Sequence, residues 1–171
     1  FGRSFRDLEG VTPADALNPI DAFRNDQSLL NEAITRAIRV KADVVERDER
    51  ESGERRKLNL GHTFAHAIEK CGNEFLHGEA VAIGTVMIAR LSAHLGTATQ
   101  DEADRVRRVF ERMGLPIRTE IDFKRLVKAL KHDKKKEADS VSFVLLRGIG
   151  DCEIRRFTFD EIDRLPDPAA E

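Results

Sequence analysis

Three of the five histidines fall between positions 62 and 77, beside the most apolar part of the chain. His62 and His66 are four residues apart, so a helix puts both imidazoles on one face. That spacing lets two rings share one metal ion. His77 follows a short loop that can fold it back against the pair. Neutral imidazole suits zinc and similar ions. The same pattern also fits ordinary histidines at a helix surface or helix start. Cys71 is a candidate fourth donor, but a lone thiol more often packs as a small buried group. Glu79 is placed either to orient His77 or to favour the positive end of the helix it starts.

The elements that carry these residues follow from apolar period and breakers. After a Pro- and Asn-punctuated stretch, Ser28 is a plausible helix start. Leu29, Leu30, Ala33, Ile34, Ala37, Ile38, Val40, Val44 and Val45 then recur at helical period. The run from Glu46 to Lys57, ERDERESGERRK, reads on composition as a solvated helix end and a loop broken at Gly53. A short apolar helix with His62 and His66 ends near Gly72. The segment from His77 to Gly96 is nearly all apolar from Ala80 to Leu91. It is shorter than the ~20 residues of a membrane span and reads as a central buried helix. Gln100–Met113 is amphipathic and stops at Gly114. Asp122–Lys131 is a further short helix, and KHDKKKEADS a polar loop. Val141–Leu146 and Glu153–Phe159 flank Gly148-Ile149-Gly150 as a hairpin, and Asp160 opens a last helical turn. The predicted fold is mainly α, a helical bundle of about five helices with a small C-terminal β-hairpin.

Composition narrows the function. Lys and Arg total 29 against 31 Asp and Glu, for a net charge of -2. All ten aromatic residues are Phe. Balanced charge and the lack of Trp and Tyr argue against a nucleic-acid partner, and no membrane partner is indicated. Two distant cysteines make no disulfide framework, which fits a reducing, cytoplasmic setting. Phe1-Gly2-Arg3-Ser4 is neither a start nor a signal sequence, so the chain reads as part of a longer protein. No strand followed by a glycine-rich turn is found, hence no dinucleotide site is expected here.

Five segments occur in a telling order: Val40-Lys41-Ala42-Asp43-Val44-Val45, Asp48 to Arg55, Leu58-Asn59-Leu60-Gly61-His62-Thr63-Phe64-Ala65-His66-Ala67-Ile68-Glu69, His77-Gly78-Glu79-Ala80-Val81, and Asp133-Lys134-Lys135. Together they resemble the C-terminal half of the 3-dehydroquinate synthases, lyases of the shikimate pathway within the sugar-phosphate cyclase group. The resemblance runs from about Asn31 to Phe159, and Arg3 to Gln27 match poorly. It implies a helical metal- and substrate-binding domain at 28–165, between a lead-in at 1–27 and a tail at 166–171. It also implies one divalent metal, zinc or cobalt, held by His62, His77 and a Glu that precedes Phe1. His66 is then moved to the substrate side, near the phosphate, and becomes a catalytic candidate together with Lys41. Lys41, Arg55, Asn59, His66 and one of Lys134 and Lys135 match substrate-binding positions, with Glu51 a weaker candidate.

The implied substrate is 3-deoxy-D-arabino-heptulosonate 7-phosphate, whose carboxylate and phosphate suit Lys and Arg. The implied reaction takes a hydride to NAD, eliminates phosphate, returns the hydride and closes a new ring. NAD belongs to an N-terminal domain not found in these residues, so the chain alone is expected to be inactive. A basic or apolar cleft face should meet that domain, and a homodimer is left open. Ala65 departs from the usual Gly of this motif. Alternatives are a related sugar-phosphate cyclase, a metal-dependent polyol dehydrogenase domain, or a non-catalytic metal-binding helical domain.

Overall fold

Helix α1, Gln27–Arg47, begins one residue before Ser28, the expected cap. Asp26 caps it instead. Its carboxylate accepts from the backbone N–H of Ser28 at 2.9 Å and of Leu29 at 3.1 Å, and Asp caps as well as Ser does. The computed structural model describes residues 22, 25–50, 53–72, 74–134 and 139–169. No residue of α1 is buried, and Ile34 and Ile38 are 48% and 62% exposed. Its apolar period is thus that of a helix without being that of a core element.

The charged run after α1 is more ordered than its composition suggests. Asp48 accepts from the backbone N–H of Gly53 at 2.8 Å and of Arg55 at 2.9 Å. Arg47 grips Glu54 through two bonds of 3.0 Å. These contacts fold the chain into a 3₁₀ turn, Glu54–Asn59, which delivers it to the histidine helix.

Helices α2, His62–Cys71, and α3, His77–His94, form the centre. Phe64, Ala65, Ala67 and Ile68 of α2 and ten residues of α3 are buried. Two glycines let these helices meet. Gly61 has φ +81°, and a Cβ on it would lie 2.3 Å from Thr85 Oγ1. A Cβ on Gly84 would lie 2.2 Å from the Gly61 carbonyl oxygen.

Around this pair pack α4, Gln100–Arg112, on α3, and α5, Phe123–Lys134, on α2. The second of these runs three residues beyond the expected end at Lys131. Strands β1, Ser140–Gly148, and β2, Asp151–Thr158, form an antiparallel hairpin with Val144 opposite Ile154 and Ser142 opposite Arg156. Phe143 is fully buried, with its ring 5.3 Å from Phe64 and 5.6 Å from Phe157. Ser92, also fully buried, donates to the Ile88 carbonyl at 2.7 Å and accepts from Leu146 N–H at 2.9 Å, fastening α3 to β1. Phe159, expected in the second strand, opens the short helix α6, Phe159–Asp163, because Thr158 and Glu161 form a reciprocal cap. Pro168, in the expected tail, is buried and accepts from Arg90 at 3.3 Å. The architecture is mainly α with one hairpin, as expected. Among the described residues no helix is long and apolar enough to cross a membrane.

Candidate functional site

Two helices start side by side, and each starts on a histidine. His62 opens α2 and His77 opens α3. Their ring centres are 5.6 Å apart. Two imidazoles on one tetrahedral ion, with Zn–N bonds of ~2.0–2.1 Å, would put their ring centres roughly 5 Å apart. His66, one turn along α2, completes the group at 5.9 Å from His62 and 6.4 Å from His77. Ring separation alone does not choose a pair, but hydrogen bonding separates the three. His62 Nδ1 faces the Leu60 carbonyl at 3.2 Å, and His77 Nδ1 faces Glu69 Oε1 at 2.8 Å. A carbonyl and a carboxylate only accept, so each Nδ1 carries the hydrogen. In the neutral rings the lone pair is then left on Nε2, the form that binds a metal. Among the described residues, His66 has no such partner, and no group of three or more His, Cys, Asp or Glu could hold a metal ion.

Cys71 is not part of this cluster. Its thiol lies 3.7 Å from the Arg125 carbonyl, at the far end of α2. Glu79 does not reach His77 either. It accepts from Leu76 N–H at 2.8 Å and caps α3.

Beside His62 and His66 lies a cleft of about 530 Å³ between α2, α5 and the hairpin. Asn59 lines it, as do Arg56, Lys70 and Arg156. Its floor is apolar, from Ala67, Leu130 and Val144. Among the described residues no carboxylate lines it, so its electrostatics favour an anion. The start of α2 has no side-chain cap and adds its positive end. Ser140 Oγ accepts from Arg156 Nε at 2.5 Å, which holds that guanidinium at the hairpin edge.

The sequence-predicted residues divide. His62, His66 and Asn59 line the cleft together, and His77 joins the histidine group. Lys41, exposed on α1, and Arg55 are not among the lining residues. Arg55 donates to the Glu49 carbonyl at 2.8 Å. Lys134 ends α5. Lys135, Glu51 and most of the lead-in lie outside the described residues. Sequence reasoning missed Arg56, Lys70 and Arg156. Lys70 follows His62 and His66 at four-residue steps, a signal that was present. Arg156 gave none, because its place depends on how the hairpin docks.

Solved structures first give the class. A 2-epi-5-epi-valiolone synthase from Streptomyces hygroscopicus, with NAD+ and Zn2+ bound, shares the fold at a TM-score of 0.64 and 30% identity. The match covers 75% of this chain and 37% of that one. A 2-deoxy-scyllo-inosose synthase matches in fold at a TM-score of 0.65 and 23% identity, over 77% of this chain and 39% of its own. The architecture is therefore that of part of a sugar-phosphate cyclase. The sequence profile of the 3-dehydroquinate synthase C-terminal family matches residues 6–136, and the chain belongs to that family. The match begins inside the stretch that the motif comparison left poorly matched. The 3-dehydroquinate synthase of Nitrosomonas europaea is 47% identical over 128 residues, which are 73% of this chain and 35% of the relative. That of Pseudomonas fluorescens is 48% identical over 143 residues, 79% of this chain and 38% of the relative. The chain thus spans little more than a third of the length of these relatives.

Proposed function

We propose that these residues form the metal- and substrate-binding part of an enzyme that converts 3-deoxy-D-arabino-heptulosonate 7-phosphate to 3-dehydroquinate and inorganic phosphate. The observation that carries the reading is the anion-favouring cleft that opens beside His62 and His66. Family membership and the relatives' names support it.

The donor set fits a divalent zinc- or cobalt-type ion at His62 and His77, because each ring has its Nδ1 committed to an acceptor and its Nε2 left as a donor of electrons. The resemblance supplies the third ligand from a glutamate outside these residues. When bound, such an ion polarises substrate oxygens and lowers the cost of charge developing on them. NAD belongs to a further domain.

The chain's own residues do the rest. Arg56, Lys70 and Arg156 hold the anionic groups of the substrate by charge-assisted hydrogen bonds. Asn59 donates and accepts hydrogen bonds at the cleft wall and fixes the register of the hydroxyls. His66 stands between the metal pair and the cations, placed to donate a hydrogen bond to a phosphoryl oxygen as the phosphate departs. Lys41 and the lysines at 134 and 135 are assigned to substrate contacts on the resemblance alone. A cytoplasmic place in the shikimate pathway goes with this reading.

A chimera tests it. Joined to the N-terminal remainder of the Nitrosomonas europaea synthase, the chain should release phosphate from the heptulosonate phosphate with NAD and zinc or cobalt. His62→Ala or His77→Ala should abolish release. A folded chimera that binds NAD and metal but releases no phosphate overturns the proposal.

A further inference from the structure

Glu69 closes the motif that contains His62 and His66. It lies seven residues after His62, two helical turns on and so on the same face of α2. Its Oε1 meets His77 Nδ1 at 2.8 Å across the junction of α2 and α3. The His77 side chain is 60% exposed, so packing leaves its ring free to turn. Glu79, the other carboxylate close in sequence, is committed to the cap of α3. The contact with Glu69 is therefore what fixes the ring.

We propose that Glu69 is a positioning residue that fixes the orientation and tautomer of His77 for metal binding. This rests on the metal reading above. An ionised carboxylate accepts only, so it demands hydrogen on Nδ1 and leaves the lone pair on Nε2. Its negative charge also makes Nε2 a stronger electron-pair donor. Such outer partners of ligating histidines typically govern metal affinity by 10- to 100-fold. His62 obtains the same tautomer from a backbone carbonyl, which no side-chain substitution removes. Glu69 is the member of the pair that mutation can address.

The experiment measures zinc affinity of the chimera described above, which supplies the third ligand, by competition with a chromophoric chelator. Glu69→Leu should weaken binding by about 10- to 100-fold. Glu69→Gln keeps an acceptor but loses the charge, and should fall between. Glu79→Gln should leave affinity within about twofold, although it removes a cap. Long-range ¹H–¹⁵N spectra of the metal-free chain should show His77 leaving the Nδ1–H tautomer in Glu69→Leu and keeping it in Glu69→Gln. A purely structural ion pair predicts a lower melting temperature with the tautomer unchanged. Wild-type zinc binding that Glu69→Leu leaves intact overturns this role alone. Wild-type binding no tighter than that of His62→Ala overturns the metal reading, and this role with it.

Discussion

Replacing Gly84 by alanine adds one methyl group at the tightest point between α2 and α3. The new Cβ would lie 2.2 Å from the Gly61 carbonyl oxygen and 2.9 Å from Ala65 N. Those two atoms form the first hydrogen bond of α2, at 3.0 Å. Real Cβ contacts essentially never fall below 3.0 Å, so the helices must part by about 0.8 Å at this point. The obstacle is backbone, which cannot turn aside as a flexible side chain would. Overpacking of this kind costs ~1–3 kcal/mol, and the better helix propensity of alanine returns up to ~1 kcal/mol. The net loss, up to ~3 kcal/mol, lowers Tm by up to roughly 12 °C for a chain of this length. His62 directly follows Gly61, so the same movement shifts its ring relative to His77. Zinc affinity should fall by about tenfold or more, the scale on which misplacement approaching 1 Å damages a site. Gly78→Ala is the control, since no atom lies within 4 Å of the added Cβ. It should be neutral or slightly stabilising. Thermal melts and chelator competition decide the matter. A Gly84→Ala chain with wild-type Tm and wild-type zinc affinity would refute the close-approach argument.

Ser92→Ala removes the buried hydroxyl that accepts from the Leu146 N–H and should cost ~1–3 kcal/mol in urea unfolding; an unchanged midpoint would mean that the amide finds another acceptor. Asp26, Glu102 and Glu161 have carboxyls held below their ordinary range, chiefly by the backbone N–H groups of Leu29, Thr99 and Thr158. Their folded pKa values are depressed, so their contribution is complete above the ordinary carboxylate range and is lost as pH falls through the lower folded values. Thermal melts from pH 7 to pH 3 should show a flat region and then a fall that Asp26→Asn makes shallower. In the active chimera, Arg156→Ala should raise KM for the heptulosonate phosphate by about tenfold, the scale of a lost hydrogen bond to a charged group, with kcat less affected; an unchanged KM removes Arg156 from the substrate cleft.

Much of the helical frame was legible because its signals are local. The apolar run from Ala80 to Leu91 could only be a buried helix, and Gly72, Gly96 and Gly114 mark helix ends where they stand. The hairpin showed itself through its β-branched runs and the glycines between them. What was misread depended on competition between near-equal local choices. Asp26 outranked Ser28 as a cap, and the Thr158–Glu161 cap drew Phe159 out of its strand. The acceptor in the charged run, Asp48, could not be told from its solvated neighbours until its two N–H partners were seen. In the site, spacing alone paired His62 with His66. The loop before α3 already offered His77 as a third member, but only the resemblance paired it with His62 in place of His66, because its approach depends on how α3 docks against α2. Glu79 was offered as a partner of His77 or as a helix-start residue, and it is the second; Glu69 was not weighed, because proximity in sequence is a poor guide where the chain reverses.

The core and the site share one contact. Gly61 and Gly84 allow α2 to settle on α3, and that settling buries Phe64, Ala65 and Ile68 against Ala80 and Ile83. Because His62 and His77 are the first residues of these two helices, the depth of that packing sets the separation of their rings. On the other side of α2, the contact of Phe64 with Phe143 fixes the hairpin, and the hairpin carries Arg156 to the cleft. One ten-residue helix therefore carries His62 and His66 along the cleft whose hairpin edge holds Arg156. A rigid core behind short helix starts is the arrangement that holds two imidazoles in register without depending on loop order.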